Sequence, residues 1–344
     1  MTSSIFRRFA GFALILAFGA AGGQAHAQAT LETVRERGEL VCGVNPGLAG
    51  FSTVDAQGRW TGFDVAYCRA IAAAIFGDPE RVRFEPLSAR ERFSALREGD
   101  IDVLLRNSTA TMERDVALEL DFPAITYFDG QGFLVRKDLG VSSARELNGA
   151  TVCVENGTTT RLNLDDFFRQ NGIRYEPVVF DSAIETIDAY LNGRCDAYTT
   201  DASGLYAQRL RAADPDNHVV LPEVISKEPL GPAVRHGDSH WADLVRWVHF
   251  AMLNAEEHGV TSQNVDDRRA NDPAPVVRRL LGVEGDFGRM LGLDEDWAYN
   301  VIKHVGNYGE VYARNIGEGS PLRIQRGLNA LWTRGGLQYG HPIR

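Results

Sequence analysis

The sequence predicts an α/β protein with two lobes, each built on a sheet covered by helices. Short apolar segments of strand type alternate with helical segments from Leu40 onward, and a second series of the same kind begins at Gly149. Strands separated by helices are typical of parallel sheets. The chain has 344 residues, of which 44% are hydrophobic and 24% charged, and this suits a globular protein of two domains.

The N-terminus has the layout of an export signal. Arg7 and Arg8 precede an apolar run over 9–21, and the small-residue triplet 25–27 follows. The run is shorter than the roughly 20 residues that span a bilayer, which argues against a membrane anchor. We therefore predict a signal peptide over 1–27, cleavage after Ala27 and a periplasmic protein. No cysteine follows that site directly, so we expect no lipid anchor.

Charge and cysteine content narrow the function further. Removing 1–27 changes the formal net charge from −10 to −12, which argues against a nucleic-acid partner. An oxidising compartment favours disulfides over four free thiols. Of the three possible connectivities, proximity in sequence favours Cys42 with Cys68 and Cys153 with Cys195. The spacing contains no CxxC pair and does not support a zinc site.

The first series forms the first lobe. It comprises a helical turn over 31–37, a strand over 40–44 and a helix that Asp64 caps and that runs to Phe76. A strand over 82–84, a helix over 90–97 and a strand over 101–105 follow.

The second series repeats this order in a second lobe. We predict strands over 151–154, 175–180 and 195–199, with helices over 162–169 and 183–191 between them. We expect the chain to cross between the lobes near Tyr127 and Gly231. The boundaries are then 28–126 for the first segment of lobe 1, 127–231 for lobe 2, and 232–344 for the return to lobe 1 and an extension.

The C-terminal extension is predicted to be helical. Leu244, Trp247, Val248 and Ala251 have helical spacing within 241–257. Ser320 followed by Pro321 is a typical helix start, so we expect a final helix there.

A polar loop follows the strand that ends at Leu105, where open α/β sheets usually bind ligands. This loop leads to Arg114, whose guanidinium can pair with a ligand carboxylate. A surface ion pair with a neighbouring acid explains the same arginine equally well.

Two more strand ends carry polar groups. Thr158, Thr159 and Thr160 precede a helix, where hydroxyls and free N–H groups form an anion site, although simple helix capping is the alternative. Asp201 follows the strand over 195–199 and either lies over the cleft or caps the next helix. A zwitterionic amino acid requires a cation and hydrogen-bond donors for its carboxylate and an acid for its ammonium. Without such partners, desolvating its two charges is costly.

Several long runs resemble the family 3 extracellular solute-binding proteins. These are 58–65, 106–114, 157–160 and 199–201, and the runs 42–51, 224–232 and 305–310 resemble the general L-amino-acid-binding branch. The resemblance covers essentially the whole mature chain. It implies a type II periplasmic-binding-protein fold, with two α/β lobes, a cleft between them and a helical C-terminal extension.

The resemblance also implies roles for individual residues. The ligand carboxylate is assigned to Arg114, Thr109 and Thr159, and the ligand ammonium to Asp201 and Asn107. The side-chain pocket is assigned to Asn45, Leu48, Arg92, Arg106, Glu155 and Thr160. The sequence departs from the family at Leu48, where an aromatic platform is common, and from close relatives at Ala110 and Arg161.

The implied function is capture of free L-amino acids, with broad specificity, for delivery to the permease subunits of an ABC importer in the membrane. We expect a monomer without a cofactor or metal. The backbone-binding set cannot discriminate side chains, so polar and acidic amino acids are included, whereas sugars, peptides and D-amino acids are expected to bind poorly.

Two other functions compete with transport. A dehydratase of cyclic substrates on the same fold needs a general acid, for which Glu155 is the candidate. The sequence contains no GxSxG, P-loop or HExxH motif, and His236 and His240 are expected in a surface loop. A ligand-sensing protein for a membrane receptor is the third possibility.

Overall fold

The computed structural model describes residues 29–344, so the predicted signal peptide lies outside the described residues. Within 29–344 no helix is both long and apolar enough to cross a membrane. The strands are β1 (Leu40–Val44), β2 (Thr53–Val54), β3 (Trp60–Thr61), β4 (Val82–Pro86), β5 (Val103–Leu104), β6 (Leu120–Asp121), β7 (Tyr127–Asp129), β8 (Gln131–Arg136), β9 (Thr151–Glu155), β10 (Glu176–Phe180), β11 (Ala197–Asp201), β12 (His218–Val220), β13 (Glu228–Leu230) and β14 (Val234–Arg235).

The α-helices cover both sheets and most of the C-terminal region. They are α1 (Ala29–Arg37), α2 (Phe63–Phe76), α3 (Arg92–Glu98), α4 (Thr159–Gln170), α5 (Ala183–Leu191), α6 (Ala202–Arg209), α7 (Ser239–Glu257), α8 (Val265–Asn271), α9 (Pro275–Leu280), α10 (Phe287–Met290), α11 (Trp297–His304) and α12 (Tyr308–Asn315).

The first sheet has the order β4-β1-β5, and all its strands are parallel. All five residues of β1 are buried, because both faces of the sheet are covered. This is also why the strand is a continuous apolar run in the sequence. One face packs on a large apolar cluster that includes α2, α7, α11 and α12, and the other on a smaller cluster around Leu96 and Leu104. The predicted α/β character of the first lobe is confirmed.

The second sheet has the order β10-β9-β11-β8-β12. Strands β10, β9 and β11 are parallel, as predicted, whereas β8 and β12 join antiparallel. The expectation of purely parallel sheets is therefore wrong for this lobe. The segment 137–150 between β8 and β9 contains two 3₁₀ turns but no α-helix, so no crossover helix makes these two strands parallel and β8 runs in the opposite direction to β9.

Two strands run side by side between the sheets. Strands β7 and β13 pair antiparallel, with Glu228 opposite Asp129 and Leu230 opposite Tyr127. We call this pair the hinge strands.

Each disulfide lies within one sheet and its helices. Cys42 of β1 is bonded to Cys68 of α2, and Cys153 of β9 is bonded to Cys195 just before β11. The predicted pairing is confirmed, and neither bond crosses between the lobes.

The end of the chain differs from the prediction. Helices α7 to α12 form the expected helical extension, but no α-helix follows Asn315. The segment after Ser320 is an irregular tail with two short 3₁₀ turns, and Asn329 binds both backbone groups of Phe128 in β7. Local spacing predicted a helix there, but tertiary contacts with the hinge strand hold the tail in another conformation.

Candidate functional site

The loop after β5 lies where the two sheets face each other. Asn107 adopts a positive φ of 33°, a conformation that few residues other than glycine tolerate. Its backbone N–H donates to Asp64 (2.9 Å), and its side chain accepts from Asn45 (3.1 Å). The carboxylate of Asp64 therefore fixes this loop against α2.

Three buried arginines lie around this loop. Arg92 donates to the carbonyl of Arg106 (3.4 Å) and to Ser108 (3.2 Å), while Arg106 donates to the carbonyl of Leu87 (2.7 Å). Arg114 donates to the carbonyl of Thr109 (2.7 Å). Burial lowers the pKa of all three guanidinium groups, that of Arg114 to about 10. Because arginine keeps its charge in proteins, this wall of the site is cationic.

Arg92 and Arg114 also share an aromatic neighbour. Their guanidinium carbons lie 4.7 and 4.8 Å from the ring centroid of Phe93, within the range of cation–π attraction. Within 29–344, the buried Nε of Arg92 has no hydrogen-bond partner. The N–H at this Nε can therefore donate a hydrogen bond to a polar group of a bound ligand.

The second lobe supplies β9 and the start of α4 to the opposite wall. Glu155 ends β9, and its carboxylate lies 3.8 Å from the guanidinium of Arg106. Burial raises the pKa of Glu155, and Arg106 counteracts this. The hydroxyl oxygen of Thr159 lies 3.5 Å from that of Thr109 in the first lobe. The cleft between the lobes is therefore closed at this point.

Three acids form the other side of the site, of which Asp201 and Glu228 are buried and Asp129 is partly buried. Asp201 at the end of β11 accepts from the amide of Asn107 at 3.5 Å, and Asp129 accepts from Ser203. Glu228 of β13 accepts from the hydroxyls of Thr109 (2.5 Å) and Thr159 (3.0 Å). Burial, followed by the charges of Asp129 and Glu228, raises the pKa of Asp201 well above its usual range.

A cationic wall facing a group of acids suits a small zwitterion. The acids repel one another, and a bound ammonium relieves this repulsion, while a bound carboxylate compensates the arginines. The charges of Glu228 and, to a smaller extent, Asp201 raise the pKa of the Arg114 guanidinium against the effect of burial. Both charged ends of one small ligand therefore find partners in a single cleft.

A cavity of about 670 Å³ opens at the edge of this cleft. The first lobe lines it with Phe93 and Arg114, and the second lobe with Thr159 and Asn163. A larger cavity of about 930 Å³ lies beside Trp60 and contains none of the predicted ligand residues. The cleft is the candidate ligand site, because its charges complement those of a zwitterion and the larger cavity contains none of the predicted ligand residues.

A sequence profile of the bacterial extracellular solute-binding proteins, family 3, matches residues 40–264 of this chain. The chain belongs to this family. Its fold is the type II periplasmic-binding-protein fold, with two α/β lobes and a cleft, which confirms the fold that the sequence predicts. The helices from α8 onward lie outside the matched region.

Several relatives resemble the solute-binding protein over nearly its whole length. The general L-amino acid-binding periplasmic protein AapJ of Rhizobium johnstonii is 56% identical over 96% of this chain and 97% of its own. The glutamate/glutamine/aspartate/asparagine-binding protein BztA of Rhodobacter capsulatus is 53% identical over 92% and 93%. A periplasmic binding protein from Brucella ovis, solved with glutathione bound, is 57% identical over 92% and 99%, with a TM-score of 0.90.

The structure of the solute-binding protein joins most of the predicted site residues through direct contacts. Asn45, Asn107 and Asp201 form one chain of contacts, Arg106 meets Glu155, and Thr109 meets Thr159. Thr160 lies in the first turn of α4, where its hydroxyl contacts that of Thr158 (2.7 Å). Leu48 is different, since its side chain belongs to the large apolar cluster of the first lobe.

The structure decides between several alternatives. Arg114 is buried and has no acidic partner within salt-bridge distance in the described range 29–344, so the surface ion-pair interpretation is wrong. Thr158 and Asp201 occupy N-cap positions, but neither side chain makes a capping bond. The predicted N-cap at Asp64 is wrong, because Gly62 occupies that position and Asp64 lies in the first turn of α2. His240 lies in α7 rather than in a loop.

Sequence reasoning missed Asp129 and Glu228 as site residues. Both lie on the hinge strands, and strand position alone gave no reason to place them at the cleft. A signal was present for Glu228, since it lies in the run over 224–232 that resembles the amino-acid-binding branch. A carboxylate within an otherwise apolar or neutral strand segment deserves to be considered as a site residue because burying it requires specific partners.

Proposed function

We propose that this protein is the substrate-binding component of an amino-acid ABC importer. It binds free L-amino acids with broad specificity and delivers them to permease subunits in the membrane. The observation that supports this best is the presence of buried Arg114 and buried Asp201 in one cleft between two lobes. The names of AapJ and BztA support the same substrate class.

In this proposal Arg114, Thr109 and Thr159 bind the ligand carboxylate, and Asp201 and Asn107 bind the ammonium. The pocket for the ligand side chain consists of Asn45, Leu48, Arg92, Arg106, Glu155 and Thr160. This pocket contains charges of both signs and an amide, so it can pair with different polar side chains. A bias toward glutamate, aspartate and glutamine follows from Arg92 and Arg106.

The two lobes close around the ligand about the hinge strands. We assign 28–126 and 232–344 to the first lobe with its extension, and 127–231 to the second. We also propose that the mature chain is monomeric and located in the periplasm after cleavage near Ala27. The name of AapJ, which places that protein in the periplasm, supports the proposed location.

Small peptides with a free amino-acid head are a second ligand class. The Brucella ovis relative was solved with glutathione bound, and glutathione presents a free α-carboxylate and α-ammonium at its γ-glutamyl end. We therefore expect poor binding only of peptides that lack a free α-carboxylate and α-ammonium on the same carbon atom.

A thermal-shift panel with the common L-amino acids, D-glutamate, glucose and glutathione tests this proposal, with calorimetry on the best ligands. A ligand at a hundredfold excess over Kd stabilises the native state by about 2.7 kcal/mol, so binding is easy to detect. Binding of several L-amino acids without their consumption is expected. Absence of a shift with every amino acid at millimolar concentration refutes transport binding, and consumption of a ligand supports the dehydratase alternative.

A further inference from the structure

Glu228 is a buried acid with partners from both lobes. It lies in the hinge strand β13 and is 1% exposed. One carboxylate oxygen accepts from the hydroxyls of Thr109 (2.5 Å) and Thr159 (3.0 Å), and the other accepts from the amide of Asn163 (2.7 Å) and the hydroxyl of Ser226 (2.6 Å). These four bonds satisfy a carboxylate that would otherwise be costly to bury.

The backbone of β13 is attached to the first lobe. The N–H of Ala110 donates to the carbonyl of Pro229 (2.9 Å), and the N–H of Gly231 donates to the carbonyl of Ser108 (3.1 Å). Thr109 also forms a β-bridge with Leu230. The carboxylate of Glu228 is therefore held beside the loop that carries Asn107 and Thr109.

The other partners of Glu228 belong to the second lobe. Thr159 is the first residue of α4 and Asn163 lies one turn later. A carboxylate near a helix N-terminus is favoured by the free N–H groups and the helix dipole. The bonds from Thr159 and Asn163 to Glu228 hold α4 against the loop after β5, so a movement of α4 away from this loop breaks them.

We propose that Glu228 is a positioning residue that fastens the closed cleft and orients the hydroxyls of Thr109 and Thr159. This inference rests on the proposed binding function. Each hydroxyl has one proton, which it donates to Glu228, so its oxygen lone pairs are directed away from Glu228. Thr109 and Thr159 can therefore offer the ligand carboxylate only their backbone N–H groups, which act together with Arg114 and the other free N–H groups at the start of α4.

A role in closure has a specific kinetic signature. The bonds of Glu228 form after the ligand has entered, so their loss speeds ligand release and leaves the association rate unchanged. Because Glu228 acts through the protein, the loss is the same for every ligand. We expect Glu228→Gln to raise the dissociation rate and Kd of glutamate, alanine and leucine by a common factor of about tenfold, typical of a lost charge-assisted hydrogen bond.

A second variant tests the same contact from the other lobe. Asn163→Ala removes one partner of Glu228 without changing the hinge. We expect it to raise Kd by about threefold to tenfold, and the double variant to bind no more weakly than Glu228→Gln alone, since both changes break one interaction. Glu223→Gln is the matched control, because Glu223 accepts from Ser143 and Ala144 within the second lobe, and its Kd should equal that of the wild type.

Stopped-flow release, calorimetry and thermal unfolding without ligand are measured on all four variants and the wild type. Three outcomes overturn the proposal. They are an unchanged Kd in Glu228→Gln, a rise in Kd confined to one ligand, and a double variant whose loss of affinity is the sum of the two single losses. A tighter Kd overturns it as well and shows that Glu228 competes with the ligand carboxylate. If Glu228→Gln fails to fold, Asn163→Ala decides alone. A wild type that binds no amino acid refutes the proposed function instead, which separates the two failures.

Discussion

Arg106 and Glu155 come from opposite lobes, and their charged groups lie 3.8 Å apart in the buried cleft. This is longer than a direct hydrogen bond, so each partner keeps capacity for another group. A ligand side chain that reaches this pair meets a positive and a negative charge together. The pair thus offers a physical basis for broad rather than strict selection.

Changing this pair should alter specificity. Glu155→Gln removes the negative charge beside Arg106, and we expect glutamate and aspartate to bind about tenfold more tightly relative to alanine and leucine, because the guanidinium then lacks its internal counter-charge. Competition calorimetry with the four ligands measures this ratio. An equal change for all four ligands would show that Glu155 lies outside the side-chain pocket.

The carboxylate site depends on Arg114. We expect Arg114→Ala to weaken binding of every amino acid by about a hundredfold or more, since the ligand carboxylate loses its charged partner at a cost of roughly 2 to 5 kcal/mol. Isothermal calorimetry measures the loss. Arg169→Ala is the control, because Arg169 forms an exposed ion pair with Asp166, and its Kd should not change. Normal binding by Arg114→Ala contradicts the assignment.

Asp64 makes stability depend on pH. Burial raises its pKa from 3.8 to about 7, so the folded protein holds a proton that the unfolded chain has lost between these values. The contribution of this group to the unfolding free energy therefore falls as pH rises from about 4 to 7 and is constant above that range. The total fall is on the order of 4 kcal/mol.

Urea unfolding of wild type and Asp64→Asn across pH 4 to 8 isolates this effect. The asparagine carbonyl can still accept from the N–H of Asn107 but does not titrate. We expect the stability of the variant relative to wild type to increase with pH through this window. Parallel curves for the two proteins would show that Asp64 keeps an ordinary pKa.

Ligand binding should close the lobes. Contacts to the carboxylate and ammonium come from residues on both sides of the cleft, so a bound amino acid shifts the population toward the closed arrangement. Small-angle X-ray scattering should give a smaller radius of gyration at saturation with the best ligand, while glucose serves as the control. No change at saturation contradicts the two-lobe mechanism.

Export should leave a defined product. We expect mass spectrometry of periplasmic protein to find a chain that begins near Gln28, and non-reducing peptide mapping to join Cys42 to Cys68 and Cys153 to Cys195. Each bond lies within one lobe and leaves the cleft free to open. Free thiols at all four positions, or a retained signal segment, contradict the assigned compartment.

The sequence by itself determined the α/β class, the disulfide pairing and the strand ends that carry polar groups. Strand β1 and helix α5 coincide with their predicted bounds, because alternating apolar segments and local helix signals act over a few residues. Thr159 and Asp201 could be predicted as ligand residues because ligand residues in such sheets follow strand ends, whereas the role predicted for Thr109 came from the family resemblance.

Tertiary structure alone decided what depends on distant partners. Contacts of Asn329 with β7 hold the irregular tail after Ser320, and β8 is antiparallel because no α-helix connects it to β9, so tertiary context overrides local helix and strand preferences. Burial of Arg114 excluded a surface ion pair, and the hinge brought Asp129 and Glu228 to the cleft. Local pattern cannot reveal these features, because the burial and the partners of a charged side chain depend on segments far away in the sequence.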